Sequence, residues 1–244
     1  TQLDLIVVAI SKYEFPAIWP SFISDLYDIS KTSTLNCDNA LLILQYFCQE
    51  ISDFADNSLT SARAGEMVNA FTHELPKVME IIQTALSTQD DTLIKDGLLA
   101  FASLVKWVDP SIFFQSDILN QLCSTFLPNP DYSTDMLRIL SGVISSNFIP
   151  EEFYPQLGVV FEVIMTNLKP ILEELGNDVV QNIPIRTLLA NTLTSFLSNY
   201  QEVVETEQYA QPLLLLNEWL VTLTRLIPED DISPLFEYWK TLCQ

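Results

Sequence analysis

With 244 residues and 32 Asp+Glu against 11 Lys+Arg, the chain carries a formal net charge of −21. Direct binding to a nucleic-acid backbone or an anionic membrane is therefore opposed electrostatically, and basic partners are the natural expectation; an acidic surface that merely keeps an apolar-rich chain soluble is the competing explanation. Five glycines, no alternating strand pattern and no apolar run near the roughly 20 residues needed to cross a bilayer argue against a β protein and against a helix-spanning membrane protein.

The first element is a helical hairpin. Leu3, Ile6, Val7 and Ile10 form an apolar stripe that ends at Pro16. A second helix is expected from Pro20, whose missing N–H suits a first turn, to about Ser30, with Phe22, Ile23 and Leu26 at helical spacing. Trp19 is expected to be the buried plug of this corner. Asp38 reads as the N-cap of the next helix, which carries Ala40, Leu44, Phe47, Ile51 and Phe54 on one face. After the polar loop from Ala55 to Ser61, one stripe runs from Ala64 through Phe71 and Ile82 to Leu86, in a helix that Pro76 should kink. Asp90 or Asp91 starts a helix closed at Asp109-Pro110, and Ser116-Asp117 caps its partner, which carries Ile118, Leu122 and Phe126. Beyond Pro128-Asn129-Pro130 come a helix with Met136, Leu140 and Ile144 and a longer one from Leu157 to Leu175, with Gly176-Asn177 as its C-terminal cap. Ile185 to Tyr200 and Tyr209 to Ile227 make a further pair, and Ser233-Pro234 opens a last helix with Phe236 and Trp239.

The first helices of successive pairs start roughly 35 to 55 residues apart, the period of HEAT and armadillo arrays. The fold class is accordingly all-α: an α-α superhelix, a HEAT/armadillo-type solenoid of antiparallel helix pairs, about eleven helices forming one segment over residues 1–244. A compact bundle is the alternative, and a single core surrounded by about eleven helices is disfavoured by size. The start at Thr1 without an initiator Met, and the end at Gln244 directly after an apolar stripe, read as truncation at both ends.

Little in the sequence points to catalysis. His73 is the single histidine and sits beside the stripe residue Phe71, which suggests a helix-surface or packing role; no GxSxG, HExxH or Walker-type loop occurs. No metal, cofactor or catalytic residue is expected, and the chain is read as a non-enzyme. Cys37, Cys48, Cys123 and Cys243 lack ligand spacing; Cys37 and Cys243 are expected to be accessible, Cys48 and Cys123 to face the core. The acidic pairs Asp90-Asp91, Glu151-Glu152 and Asp230-Asp231 fall at expected helix N-termini, where the macrodipole favours them. Glu173 and Glu174 instead fall in a last turn, where the dipole disfavours anions. A solvated surface pair is the simpler reading of these two, and they are also the acidic candidates for a basic partner. The run Leu213 to Leu216 has the composition of an export signal but is read as core, and Trp19, Trp107, Trp219 and Trp239 as packing residues.

The stretch from Leu3 to Leu26, with its Glu14-Phe15-Pro16 corner and Trp19-Pro20-Ser21-Phe22-Ile23-Ser24-Asp25, resembles the third helical repeat of the exportin-1 family, nuclear export receptors (karyopherins) of the importin-β superfamily. Gln49 to Phe54, Leu104 to Val108 and Phe236 to Trp239 follow in that family's order. The resemblance implies the third to eighth repeats, approximately, of a receptor that shuttles between nucleus and cytoplasm. It also implies carriage of cargo with leucine-rich export signals together with Ran GTPase in its GTP form, passage by way of nucleoporins, and a cargo groove in repeats outside this segment. An exportin for tRNA or small RNA, and a static HEAT-repeat scaffold for protein interaction, are the other readings.

Overall fold

The computed structural model describes residues 2–57, 61–145, 149–175, 183–227 and 232–243; the side chains of 52–57, 61, 62, 64, 169–175, 183, 184 and 242 also lie outside the described residues. Among the described residues there are twelve α-helices and no strand. Packed helix pairs joined by short connections make this an all-α fold of the HEAT type. The chain divides into two units, Thr1–Val108 and Asp109–Gln244.

The first unit contains α1 (Gln2–Glu14), α2 (Phe22–Ser30), α3 (Thr34–Asn57), α4 (Ser61–Leu86) and α5 (Asp91–Leu104). α3 packs between α1 and α5 as one layer, while α2 and α4 pack on each other as a second. Aromatics, all buried except the half-buried Trp107, link the layers: Phe15 and Phe22 lie 5.9 Å apart by ring centroids, Phe22 and Phe47 5.0 Å, Phe47 and Phe71 6.1 Å, and Phe71 and Trp107 4.7 Å. Such pairs add about 0.5 to 1.5 kcal/mol each beyond the area they bury.

The hairpin corner differs from its expected form. Phe15, only 1% exposed, is the plug, and the bond to Pro16 is cis. Trp19 is half-buried: its indole N–H donates to Asp25 Oδ2 at 2.7 Å, its ring packs edge-on to Phe22, and Ser21 Oγ donates to the same carboxylate at 3.0 Å. α2 begins at Phe22, two residues after Pro20. Arg63, in the first turn of α4, donates to the carbonyls of Tyr13 and Phe15 at 3.0 and 2.6 Å, satisfying acceptors left open where α1 ends.

Two further expectations change in this unit. α1 buries Asp4, Val8 and Ser11, so Leu3, Ile6, Ile10 and Tyr13 lie on its exposed side; the more polar face is the inner one and the apolar sequence stripe is the outer one. α3 begins at Thr34, with Ser33 Oγ accepting from the Asn36 N–H at 3.2 Å, so Ser33 is the cap and Asp38 lies inside the helix. α5 is capped by Asp90, which accepts from the N–H groups of Thr92 and Leu93. α4 continues through Pro76 to Leu86.

The second unit contains α6 (Ser111–Phe114), α7 (Ile118–Phe126), α8 (Ser133–Ser145), α9 (Tyr154–Leu175), α10 (Ile183–Val204), α11 (Ala210–Leu226) and α12 (Ser233–Leu242). α10 packs against α8 and α12 in one layer, and α9 against α7 and α11 in the other. Phe161, Phe196, Tyr200 and Tyr209 form its aromatic centre, with Phe161 5.2 Å from Phe196 and 5.8 Å from Tyr209. Tyr200 leaves helical geometry at φ −134° and ψ 34°, which breaks α10 one turn before its end. Gly158 is required by contact: a Cβ there would lie 2.5 Å from the Tyr209 hydroxyl. The Gly176-Asn177 cap and Asp230-Asp231 lie outside the described residues.

Candidate functional site

The groups with nucleophilic or acid-base chemistry are dispersed. His73 is exposed on α4, and among the described residues no cluster of three or more His, Cys, Asp or Glu could hold a metal ion. Burial pushes the Cys48 and Cys123 thiols up to about 12, so neither supplies a thiolate at neutral pH. Cys37, expected to be accessible, is only 4% exposed because α3 starts three residues before it and turns it inward; burial raises its thiol as well. Cys243 is exposed.

The acidic groups fall into three kinds. In the first unit several are tied to cations or hydroxyls across the α2–α4 layer. Lys77 Nζ lies 2.7 Å from Glu74 and 2.8 Å from Ser24 Oγ, and the Tyr27 hydroxyl donates to Glu80 at 2.7 Å. Lys31, also bonded to Tyr27, lies 3.0 Å from Glu80. Between α1 and α3, Lys12 reaches Glu50 at 2.7 Å.

A second kind was not visible in the sequence. Asp38 on α3 and Asp96 on α5 share a hydrogen bond between the two helices, and burial, then that bond and the nearby charges of Asp38 and Asp90, raise the Asp96 carboxyl to about 7. The only signal was the interior register of Asp38, which its reading as a cap concealed.

The third kind lines an open groove in the second unit. It lies between α9 and α11, has a volume of about 540 Å³, and exposes more apolar than polar surface. It is lined by Met165, Leu214 and Leu215 together with the carboxylates Glu162 and Glu218, and of these only Met165 is buried. Among the described residues neither carboxylate enters an ion pair. The Leu213 to Leu216 run is thus only partly core: Leu216 is fully buried, whereas Leu214 is 57% exposed at the groove. A four-leucine run covers every direction around a helix, so one of its members must face away from the core.

Of the acidic candidates named from sequence, Asp90 is the α5 cap and Glu151-Glu152 occupy a short 3-10 turn before α9. Glu173 and Glu174 fall in the last turn of α9, where their side chains lie outside the described residues. Trp107 packs on Phe71, and the Trp239 indole donates to Thr224 Oγ1 at 3.1 Å, so both serve packing. Among the described residues no helix is long and apolar enough to cross a membrane.

Comparison with known proteins adds what this geometry alone does not. Residues 1–140 match the family model described as exportin 1-like protein. The chain is 25% identical over 255 residues to Exportin-1 of Schizosaccharomyces pombe, 29% over 251 residues to Protein EXPORTIN 1B of Arabidopsis thaliana, and 26% over 259 residues to Exportin-1 of Drosophila melanogaster. These alignments cover 99%, 99% and 100% of this chain, which spans 23% of the length of each relative.

Proposed function

The chain belongs to the exportin 1-like protein family, and from that premise we propose that it acts as a segment of a nuclear export receptor, one that carries proteins with leucine-rich export signals out of the nucleus together with GTP-loaded Ran. The observation that carries this reading is the continuity of the likeness: the family match covers the Phe15–Pro16 corner and all of α1 to α7, and the relatives align along nearly the whole chain. Helix pairs packed in two layers within each unit suit a protein whose work is binding. Cooperativity between distant partners of such a receptor is a coupling free energy of about 1 to 3 kcal/mol. No step of covalent chemistry belongs to this proposal. Shuttling between nucleus and cytoplasm, and contact with nucleoporins on the way, belong to the same proposal.

Solution binding tests it. The chain should bind GTP-loaded Ran more tightly than GDP-loaded Ran, and the attraction should weaken as salt shortens the Debye length below about 8 to 10 Å. Charge reversal at Glu173 and Glu174 should lower the on-rate at low salt if those two acids take part. Equal binding of the two nucleotide forms would favour the static-scaffold reading.

A further inference from the structure

The groove between α9 and α11 has features of a docking site for a chain segment. Its volume of about 540 Å³ falls in the range of ligand pockets, yet Thr166, Gln211 and Leu214 on its edges are exposed, so it is a trough open along its length. Both helices set aliphatic groups beside an acid: Glu162 and Met165 on α9, and Leu214, Leu215 and Glu218 on α11, line the trough. By helical spacing Val159 lies one turn before Glu162 and Val221 lies three residues after Glu218, beyond the lining itself. Val159 and Val221 are 44% and 42% exposed, so exposed aliphatic surface continues past the lining residues on both helices. Charge then selects the occupant. Residues 109–244 hold 18 acidic and five basic side chains, and one of the five, Arg186, is fully buried.

We propose that this trough receives a basic amphipathic segment of a partner protein. Aliphatic side chains of that segment enter between Met165, Leu214 and Leu215, and its lysines or arginines meet Glu162 and Glu218. Aliphatic groups set beside one acid from each helix match a helix with an apolar stripe flanked by cations. A leucine-rich segment carrying acids would meet two like charges at the rim, so it is rejected. This inference rests on the groove and does not depend on the transport reading.

The test uses the 244-residue chain and a fluorescent synthetic leucine/lysine peptide of about four helical turns. Controls are a peptide of the same composition scrambled so that no apolar face forms, and a leucine/glutamate counterpart. Anisotropy should show saturable one-to-one binding of the leucine/lysine peptide, and binding of the scrambled peptide about tenfold weaker or less. Leu214→Ser and the double substitution Glu162→Gln/Glu218→Gln should each weaken binding by about tenfold. Glu202→Gln/Glu207→Gln, at exposed acids of the same unit, should leave it unchanged, and Glu162→Lys/Glu218→Lys should transfer preference to the leucine/glutamate peptide. Circular dichroism checks that each variant is folded. Equal binding of ordered and scrambled peptides, or equal weakening by the two double Gln variants, would reduce the effect to bulk charge and overturn the proposal. Absence of saturable binding would overturn it as well.

Discussion

In the first unit, Glu50, Glu74 and Glu80 each meet a lysine or hydroxyl from another helix, and the helices carrying them are also joined through Phe15, Phe22, Phe47 and Phe71. In the second unit Glu162 and Glu218 face a trough and pair with nothing among the described residues, although the core beneath them is equally aromatic. The surplus of acid is similar in kind, but its use differs. Paired carboxylates hold one helix to the next; unpaired ones beside exposed leucine leave a field that a partner can satisfy. The contrast between a closed surface and an open one can be broken or sharpened by substitution.

The largest effect is expected from the aromatic spine. Phe47 touches Phe15, Phe22 and Phe71 and is fully buried, so Phe47→Ala should cost about 3 to 5 kcal/mol in urea unfolding of the chain. Leu214→Ala, at the trough, should stay within about 0.5 kcal/mol of the parent. Comparable losses at both positions would mean that Leu214 is structural and the trough no more open than the first unit's surface.

Next in size is a steric test of the second unit's core. Gly158→Ala would place a methyl 2.5 Å from the Tyr209 hydroxyl, and Tyr209 is buried with little room to retreat. A loss of about 1 to 3 kcal/mol is expected, the range for overpacking. Tyr209→Phe in the same background should recover part of it, because the clashing oxygen is gone. No recovery would place the strain elsewhere.

These cases also show what could be read in the sequence. Apolar periodicity located the helices and their pairing, and Asp90 was identifiable as a cap because a short acid before an apolar-periodic run has one efficient use. Periodicity points to the wrong face of α1, since Leu3, Ile6 and Ile10 make the stronger stripe while Val8 packs inward between Asp4 and Ser11 where α1 meets α3. The burial expected of Trp19 belongs to Phe15: size suggests a plug, whereas the Trp19 indole N–H is engaged by Asp25, six residues on in the same hairpin, and its ring stays half-buried. Asp38 was given a cap's role that Ser33 performs five residues earlier, and its meeting with Asp96, 58 positions away in sequence, carried no local mark. The trough was hidden for a similar reason: a leucine run reads as core until a helix direction is fixed.

That acidic pair gives a pH prediction of intermediate size. The folded Asp96 carboxyl titrates near 7, far above the ~3.9 of an unfolded chain, so the folded state holds the extra proton between those values. Stability associated with it is present at low pH and lost as pH rises toward and through 7. Asp96→Asn should therefore raise the melting temperature more at pH 8 than at pH 5. Because the group is partly solvated, a gain of about 2 to 4 °C is expected, what ~1 kcal/mol yields in a chain of this size. An equal change at both pH values would show that the two carboxyls do not share a proton.

The smallest effect separates paired from unpaired carboxylates directly. Lys77, first by its hydrogen bond, holds the Glu74 carboxyl below its ordinary value, and Ser24 adds a second bond. A lowered folded pKa means that this contribution is present above the unfolded value and disappears as pH falls through the folded one. Glu74→Gln at pH 7 should cost about 0.2 to 1 kcal/mol, the usual worth of a solvent-accessible pair, and less at high salt. Glu162→Gln should cost nothing and should stabilise slightly at low salt, because it removes one charge from a unit that already repels itself. The comparison is made by measuring both variants at low and high salt: Glu74→Gln should lose its penalty as salt rises, while Glu162→Gln should lose its benefit. A salt-screened penalty at Glu162 would mean that a cation of this chain satisfies it in solution, and the trough would then be closed in the same way as the α2–α4 layer.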